Sequence, residues 1–407
     1  MATTLAAGLG GLIVARALGP SIRGEYAAVT AWFGVTCTVG QMGLPVALCF
    51  YVARDPERAR DYVATSRAMM LSTGILALLI GVLLAPVLAH GNQELTLGYR
   101  IAFGASIVTF VGTAYTYPLQ ARNLLLWNVV RMLQPVPSLF ALLVLWHLRL
   151  LTLNMALFVL AASMTLQLGC AYLCCRRNAL APGRRRVLLL RPLARYGIAQ
   201  IATLAPATLN AQLDQLVLSQ TVASADLGRY AIAVSLTLLP LPLVAAVGDV
   251  AFPLLAAQRV ASDATKRMQR NAIAASAGIA LAVLLPLAVV AYWLIPLLFG
   301  ADYSGAVPMV WILTPGAVFL ACGQVAGDLL RGRNHPAVVA WAQGSAAVFT
   351  VVLLIALLPV AGVYGAAIAS TVAYGIALAA MLRSLWHMPR HARGVGWIPN
   401  ITEPTDT

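Results

Sequence analysis

Charge is what this chain has least of: of 407 residues only 10% are Asp, Glu, Lys or Arg, while 61% are hydrophobic. A soluble protein needs far more charge to cover its surface, so lipid must solvate most of this one. Strand alternation of the outer-membrane barrel type is absent. There is no Gly-x4-Gly-Lys-[Ser/Thr] loop to cradle a nucleotide, and no soluble domain to hold one. The first stretch has no basic region and no convincing cleavage site before the next apolar run, so a secretory signal peptide is not expected. The six cysteines (Cys37, Cys49, Cys170, Cys174, Cys175, Cys322) fall in apolar runs or at their edges, and none suits an exported disulfide framework. Cys170-x3-Cys174-Cys175 reads better as small apolar residues closing helix contacts than as a metal or acylation site. No cofactor and no metal are expected.

What is present is a series of apolar runs separated by short polar breaks. In lipid the backbone must satisfy its own hydrogen bonds, so each run is expected to be a helix. The expected spans are 2–18, 27–51, 68–89, 97–119, 124–148 and 153–175, then 196–220, 227–252, 272–299, 306–330, 336–358 and 363–386. The fold class is therefore an all-α polytopic membrane protein of about twelve transmembrane helices. The net charge of +14 is not a nucleic-acid signal, because its distribution follows the breaks. Arginines gather in alternate loops, as at Arg54, Arg58, Arg60 and Arg67 and again from Arg176 to Arg195, while Gly91–Glu94, Thr221–Asp226 and Gly300–Ser304 are acidic or neutral. The positive-inside rule places the basic set, and with an even number of spans both termini, in the cytoplasm.

The chain also repeats itself. Gly24-Glu25-Tyr26-Ala27 opens the second span and Gly228-Arg229-Tyr230-Ala231 the eighth; Leu119-Gln120-Ala121-Arg122-Asn123 follows the fourth and Leu330-Arg331-Gly332-Arg333-Asn334 the tenth. Two motif pairs at nearly one offset, in equivalent places, argue for two like-oriented six-helix lobes. The expected boundaries are a lobe at 1–176, a basic cytoplasmic linker at 177–195, a lobe at 196–388 and a cytoplasmic tail at 389–407. Two lobes around a central cavity are the architecture of alternating access.

At several places the residues resemble a known family. Ala15-Arg16-Ala17-Leu18-Gly19-Pro20, Gly24-Glu25-Tyr26 and Gly43-Leu44-Pro45 look like the opening of polysaccharide and O-antigen flippases. Those proteins belong to the superfamily of multidrug and toxin extrusion (MATE) transporters and the peptidoglycan-precursor lipid flippase. Leu209-Asn210-Ala211-Gln212-Leu213-Asp214, Phe299-Gly300-Ala301-Asp302-Tyr303 and Gly362-Val363-Tyr364-Gly365-Ala366-Ala367 are similar to the second half, so the likeness covers nearly the whole chain. The family usually carries more residues ahead of the Ala-Arg-x-Leu-Gly-Pro stretch and often two more C-terminal helices. The motifs mark helix ends and so speak to fold more than to substrate. The resemblance implies a MATE-like fold in the bacterial inner membrane. It also implies movement of a polyprenyl-pyrophosphate-linked oligosaccharide to the outer leaflet, for synthesis of lipopolysaccharide or capsule.

Charged residues within spans are costly, about 2.5–3.5 kcal/mol at a span centre, unless they face a cavity or a partner. Asp214, Asp249, Asp328 and Arg131, with Arg16 and Arg100 nearer helix ends, are the candidates. Guanidinium keeps its proton and bonds phosphate oxygens in pairs, so Arg16 and Arg131 are candidates for the pyrophosphate, with Gln41, Asn210 and Gln324 as further head-group contacts. Gln200, Thr203, Ala207, Asn210 and Asp214 share one helical face, with Pro206 expected to kink the span between them. That stripe suits a water-filled cavity or, alternatively, a hydrogen-bonded seam between helices. With no nucleotide site, coupling is expected to H+ or Na+, through Asp214 first, then Asp328 and Asp249. Asp328 and Arg331 are also placed to pair across one turn. A multidrug exporter of the same fold would want a carboxylate-rich cavity for cationic cargo. A glycan polymerase or ligase would want a sizeable outer loop, and the outer loops here are tiny.

Overall fold

The structure, a computed structural model, describes residues 2–256, 263–333 and 335–387. Every regular element among them is helical. In chain order these are α1 (Ala2–Gly40), α2 (Leu44–Arg54), α3 (Ala59–Leu88), α4 (Gln93–Arg122), α5 (Leu124–Met132), α6 (Pro135–His147) and α7 (Leu153–Arg177). The second half holds α8 (Leu190–Asn210), α9 (Leu213–Thr221), α10 (Ser224–Thr237), α11 (Leu241–Ala256), α12 (Asp263–Phe299), α13 (Ala306–Gly332) and α14 (Pro336–His387).

Among the described residues, seven helices are long and apolar enough to cross a membrane, or up to nine if two bent pairs, α1 with α2 and α10 with α11, each make one span. Two of these helices are longer than any crossing needs, because each contains a turn. In α14, Gly362 has non-helical φ 54° and ψ −135°. Beyond it the chain doubles back: Ala346 shares a small core with Ala373 and Ala377. A straight helix would hold Ala346 and Ala373 roughly 40 Å apart. In α1 the same role falls to Gly19, at φ 75°, with Pro20 after it. Arg23 then reaches back to within 4.0 Å of the β-position of Gly11, across what would be about 18 Å of straight helix. The expected first and second spans thus meet at Gly19, and the eleventh and twelfth at Gly362.

Other expected spans arrive in two pieces. The fifth breaks at Leu133–Gln134, where Pro135 supplies no N–H to continue the ladder. The seventh breaks at Ala211–Gln212 rather than at Pro206, which stays inside α8. Polar side chains cap the restarts: Asn123 accepts from Leu126 N at the head of α5, and Thr152 from Met155 N at the head of α7.

Packing joins the halves along one edge. α1 runs against α10 and α2 against α8, while α3, α4 and α7 pack together in the first half and α12, α13 and α14 in the second. The largest core draws on both halves, from Ala15 and Val29 to Tyr230 and Tyr303. A second core, around Leu48, Tyr62, Phe110 and Leu119, belongs to the first half and takes in Leu189 and Leu193 from the start of the second.

Candidate functional site

Three polar places stand out, and they are physically distinct. The first is a half-open cavity of about 570 Å³ lined by α2, α4, α5 and α7. Its wall carries one charge, Arg131, with Thr109, Thr113, Thr116, Gln120 and Gln167 around it and Phe50, Tyr117 and Trp127 as aromatic surface. Among the described residues no carboxylate lines it. The Arg131 guanidinium lies 4.4 Å over the Trp127 ring, a cation–π contact that uses the face of the group and leaves its N–H edges available. The threonines spend their protons on their own helix: Thr109 Oγ1 donates to Ala105 O at 2.9 Å and Thr116 Oγ1 to Gly112 O at 2.9 Å. Gln167 Nε2 donates to Val130 O at 3.2 Å. The oxygens of these side chains keep lone pairs to offer, so the wall accepts hydrogen bonds where Arg131 donates them.

The second place is the stripe on α8 and α9. Asn210 and Asp214 are 3% and 2% exposed, so this end of the stripe meets helices and not open water, whereas Gln200 and Ala207 are half-buried and the Thr203 side chain lies outside the described residues. At Asn210 and Asp214 the contacts are those of the seam alternative. Thr350 Oγ1 donates to Asn210 Oδ1 at 2.9 Å, and Asn210 Nδ2 to Gln343 Oε1 at 3.3 Å, both partners on the first arm of α14. Asp214 accepts from Tyr230 Oη on α10, from Ser370 Oγ at 3.1 Å on the second arm of α14, and from Gln215 N at 2.7 Å. One carboxylate therefore ties α9, α10 and α14, through two hydroxyls and a backbone N–H.

The third place is the seam between the halves. Gly24 and Gly228, the repeat-related glycines, lie back to back. A β-carbon on Gly24 would run into the Ser224 carbonyl and sit 2.9 Å from Gly228 N; one on Gly228 would run into the Pro20 carbonyl and sit 3.0 Å from Gly24 N. Deeper along the seam, a β-carbon on Gly34 would meet the Gln212 amide at 2.9 Å, and one on Gly197 would meet the Met42 carbonyl at 2.6 Å. Arg16 belongs here. It donates to Leu297 O at 2.6 Å and Leu298 O at 2.9 Å, neutralising the carbonyl end of α12, where a cation is favoured. Tyr303 Oη donates to Ala15 O at 3.0 Å beside it.

Residues nominated together from the sequence are thus scattered. Arg131 lines the cavity, Asn210 and Asp214 share the network, and Arg16 staples the seam. Asp328 holds Arg331 at 2.7 Å across one turn and faces Gly248. Gln41 sits half-buried in the turn between α1 and α2, Gln324 is half-buried on α13, and Arg100 is exposed on α4. Asp249 falls within α11, but its side chain lies outside the described residues. Cys175 is buried and donates to Tyr115 O at 2.9 Å, the packing role expected of it. Among the described residues, no group of three or more His, Cys, Asp or Glu forms a metal-holding cluster.

Sequence reasoning missed Arg23. It is 8% exposed, lies 5.6 Å over the Tyr26 ring, and keeps its Nε without a partner. A signal was available: an arginine at a turn that the positive-inside rule wants neutral.

Residues 1–258, more than half of the chain, match the family described as polysaccharide biosynthesis protein. The chain belongs to that family. Among proteins of curated function none matches it. Solved structures with the same fold include an inward-facing multidrug resistance MATE family transporter of the MOP superfamily, at TM-score 0.79 and 14% identity over 94% of this chain and 93% of that one. The lipid II flippase MurJ in its inward closed conformation also scores 0.79 at 14% identity, over 95% of this chain and 86% of that one. An outward-facing MATE family structure scores 0.63 at 14% identity, over 95% of this chain and 93% of that one. These likenesses establish a MATE-like membrane transporter fold for this member of the polysaccharide biosynthesis protein family.

Proposed function

We propose that this protein is an alternating-access flippase that moves a polyprenyl-pyrophosphate-linked oligosaccharide from the inner to the outer leaflet of the bacterial inner membrane. The observation that carries the reading is the first-half cavity, whose only charge is the Arg131 guanidinium and whose remaining polar wall is hydroxyl and amide. A pyrophosphate needs a permanent cation and sugars need a mixed donor and acceptor surface, and aromatic rings suit sugar faces. An organic cation would find repulsion there and no carboxylate, which disfavours the multidrug exporter. Family membership and the likeness to a lipid II flippase support the same cargo class.

In this reading the chain crosses the membrane twelve times, with α1 and α14 each making two crossings, the lobes at 1–176 and 196–388, and both termini in the cytoplasm. The tight Gly24 and Gly228 seam then closes the outer face. The better match to inward-facing relatives than to an outward-facing one supports that state. Asp214 is the coupling carboxylate: binding or losing H+ or Na+ there changes what Tyr230 and Ser370 are bonded to, and so the packing of α10 against α14.

The test is a vesicle assay that follows outer-leaflet exposure of a labelled lipid-linked glycan. Arg131→Ala should abolish translocation and head-group binding with the fold intact, and Arg131→Lys should restore only part, because lysine lacks the fork. Full transport by Arg131→Ala would overturn the assignment.

A further inference from the structure

The link between the halves is held against the first half and not left loose. Gly183 N donates to Arg60 O at 2.8 Å, and Arg60 Nε to Ala181 O at 3.1 Å. Arg184 N donates to Asp61 Oδ1 at 3.0 Å, Arg186 Nε to Asp61 Oδ2 at 2.5 Å, and Arg186 N to Thr65 Oγ1 at 3.2 Å. All the first-half partners lie in the first two turns of α3. Leu180, Leu189 and Leu193 anchor the segment from behind in the first-half core.

Two aliphatic side chains in this stapled segment point the other way. Val187 and Leu188 are 81% and 86% exposed. Arg184 and Arg185 stand before them and Arg191 after them, all exposed. The backbone bonds just described prevent the pair from folding inward, so water would have to solvate them permanently. A run of Arg-Arg-Arg-Val-Leu-Leu-Leu-Arg held at the basic face of a membrane protein has a natural alternative. Aliphatic side chains enter the boundary between headgroups and acyl chains while guanidinium groups meet phosphates.

We propose that residues 184–191 form an interfacial clamp that inserts Val187 and Leu188 into the cytoplasmic leaflet and binds acidic phospholipid headgroups through Arg184, Arg185 and Arg191. A soluble phosphate would satisfy the arginines and leave the aliphatic pair stranded, so the lipid is the partner that fits both. The clamp moves with the first half, because its staples are to α3. Motion between the halves is then taken up after it, beyond Leu193 in α8. The inference is independent of the cargo and of Arg131.

The test replaces the native cysteines, introduces Leu188→Cys, and attaches an environment-sensitive fluorophore to the full-length protein in nanodiscs. One disc is phosphatidylcholine alone and the other contains phosphatidylglycerol. In acidic discs the emission should shift to the blue, respond to a quencher on the lipid tails, and be several-fold less sensitive to aqueous iodide. Arg184→Gln, Arg185→Gln and Arg191→Gln together, all surface changes, should reverse this, and so should high salt. A label quenched by iodide and not by tail quenchers in both discs would overturn the clamp. Insertion indifferent to phosphatidylglycerol and to the arginines would overturn the headgroup contact, and so would insertion induced by inorganic phosphate at constant lipid.

Discussion

The Gly24–Gly228 seam, the outer gate in the proposed cycle, makes the strongest demand on the sequence, and it can be broken by a single methyl group. A β-carbon on Gly24 would sit 2.7 Å from the Ser224 carbonyl carbon, where ordinary contact begins at 3.4 Å, so the two backbones must part by at least 0.7 Å. The obstacles are main-chain atoms, which cannot swing aside as a side chain would. Overpacking of this kind costs about 1–3 kcal/mol. Because only the closed seam suffers, that cost shifts the balance between closed and open forms by roughly 5- to 150-fold toward open. The assay is labelling of Ala27→Cys, a buried position one turn below Gly24, by a membrane-impermeant thiol reagent from outside, in a background free of native cysteines. Gly24→Ala and Gly228→Ala should each raise the labelling rate at least fivefold. The double variant should fall short of the product, since one separation relieves both clashes. Gly104→Ala, where a β-carbon meets nothing within 4 Å, is the control and should label like the parent. If Gly24→Ala labels no faster than Gly104→Ala, the seam is not an outer gate.

Asp214→Asn keeps the shape of the network and removes its charge, so transport in vesicles should lose its response to pH and sodium gradients; an unchanged response would remove Asp214 from coupling. Tyr230→Phe keeps the ring and deletes one bond to the carboxylate, and should weaken that response with little change in thermal stability. Asn210→Leu strips the bonds to Thr350 and Gln343, and should lower unfolding stability by about 1 kcal/mol in a detergent melt, since bonds between membrane helices average roughly 0.6 kcal/mol. Arg16→Gln loses the charge that neutralises the end of α12, and should speed outside labelling of Ala27→Cys, though less than Gly24→Ala does.

Fold was far more legible than site. Long apolar runs dictate helices because lipid offers the backbone no other partner, and alternation of basic loops marks their ends, so even the hairpins at Gly19 and Gly362 fall where polar breaks were expected. The breaks within spans were less visible. Pro206 is an obvious kink candidate, yet the ladder fails five residues later at Ala211, because a proline tolerated within α8 leaves no local mark of where tertiary packing bends the chain. The polar stripe shows the difficulty for sites. Its spacing places Asn210 and Asp214 on one face, but what faces them comes from Tyr230, Thr350 and Ser370, small or aromatic residues that look like ordinary packing until the helices are assembled. Arg16 shows the opposite difficulty: its charge points to phosphate, yet the partners it meets in the structure are neutral carbonyls at the end of a helix far away in sequence. The Arg131–Trp127 pairing was readable because Trp127 lies one turn before Arg131 on the same helix.

The separation of the polar places suggests how they communicate. Tyr230, which binds Asp214, lies two residues after Gly228, so the carboxylate and the outer seam act on the same turn of α10. In the proposed coupling, a change of charge at Asp214 alters whether Tyr230 bonds the carboxylate or Ser370, and so shifts α10. At most seams that is absorbed by side chains. Here the contact is backbone against backbone, where the steep repulsive wall leaves only a closed fit or a parted one. A small shift at a buried carboxylate can therefore be read as an all-or-none event at the outer face. The Arg131 cavity is walled by α2, α4, α5 and α7 of the first half, away from Asp214. In the proposed cycle, cargo is held by one half while the ion acts on the other, and the seam between them is where the two must meet.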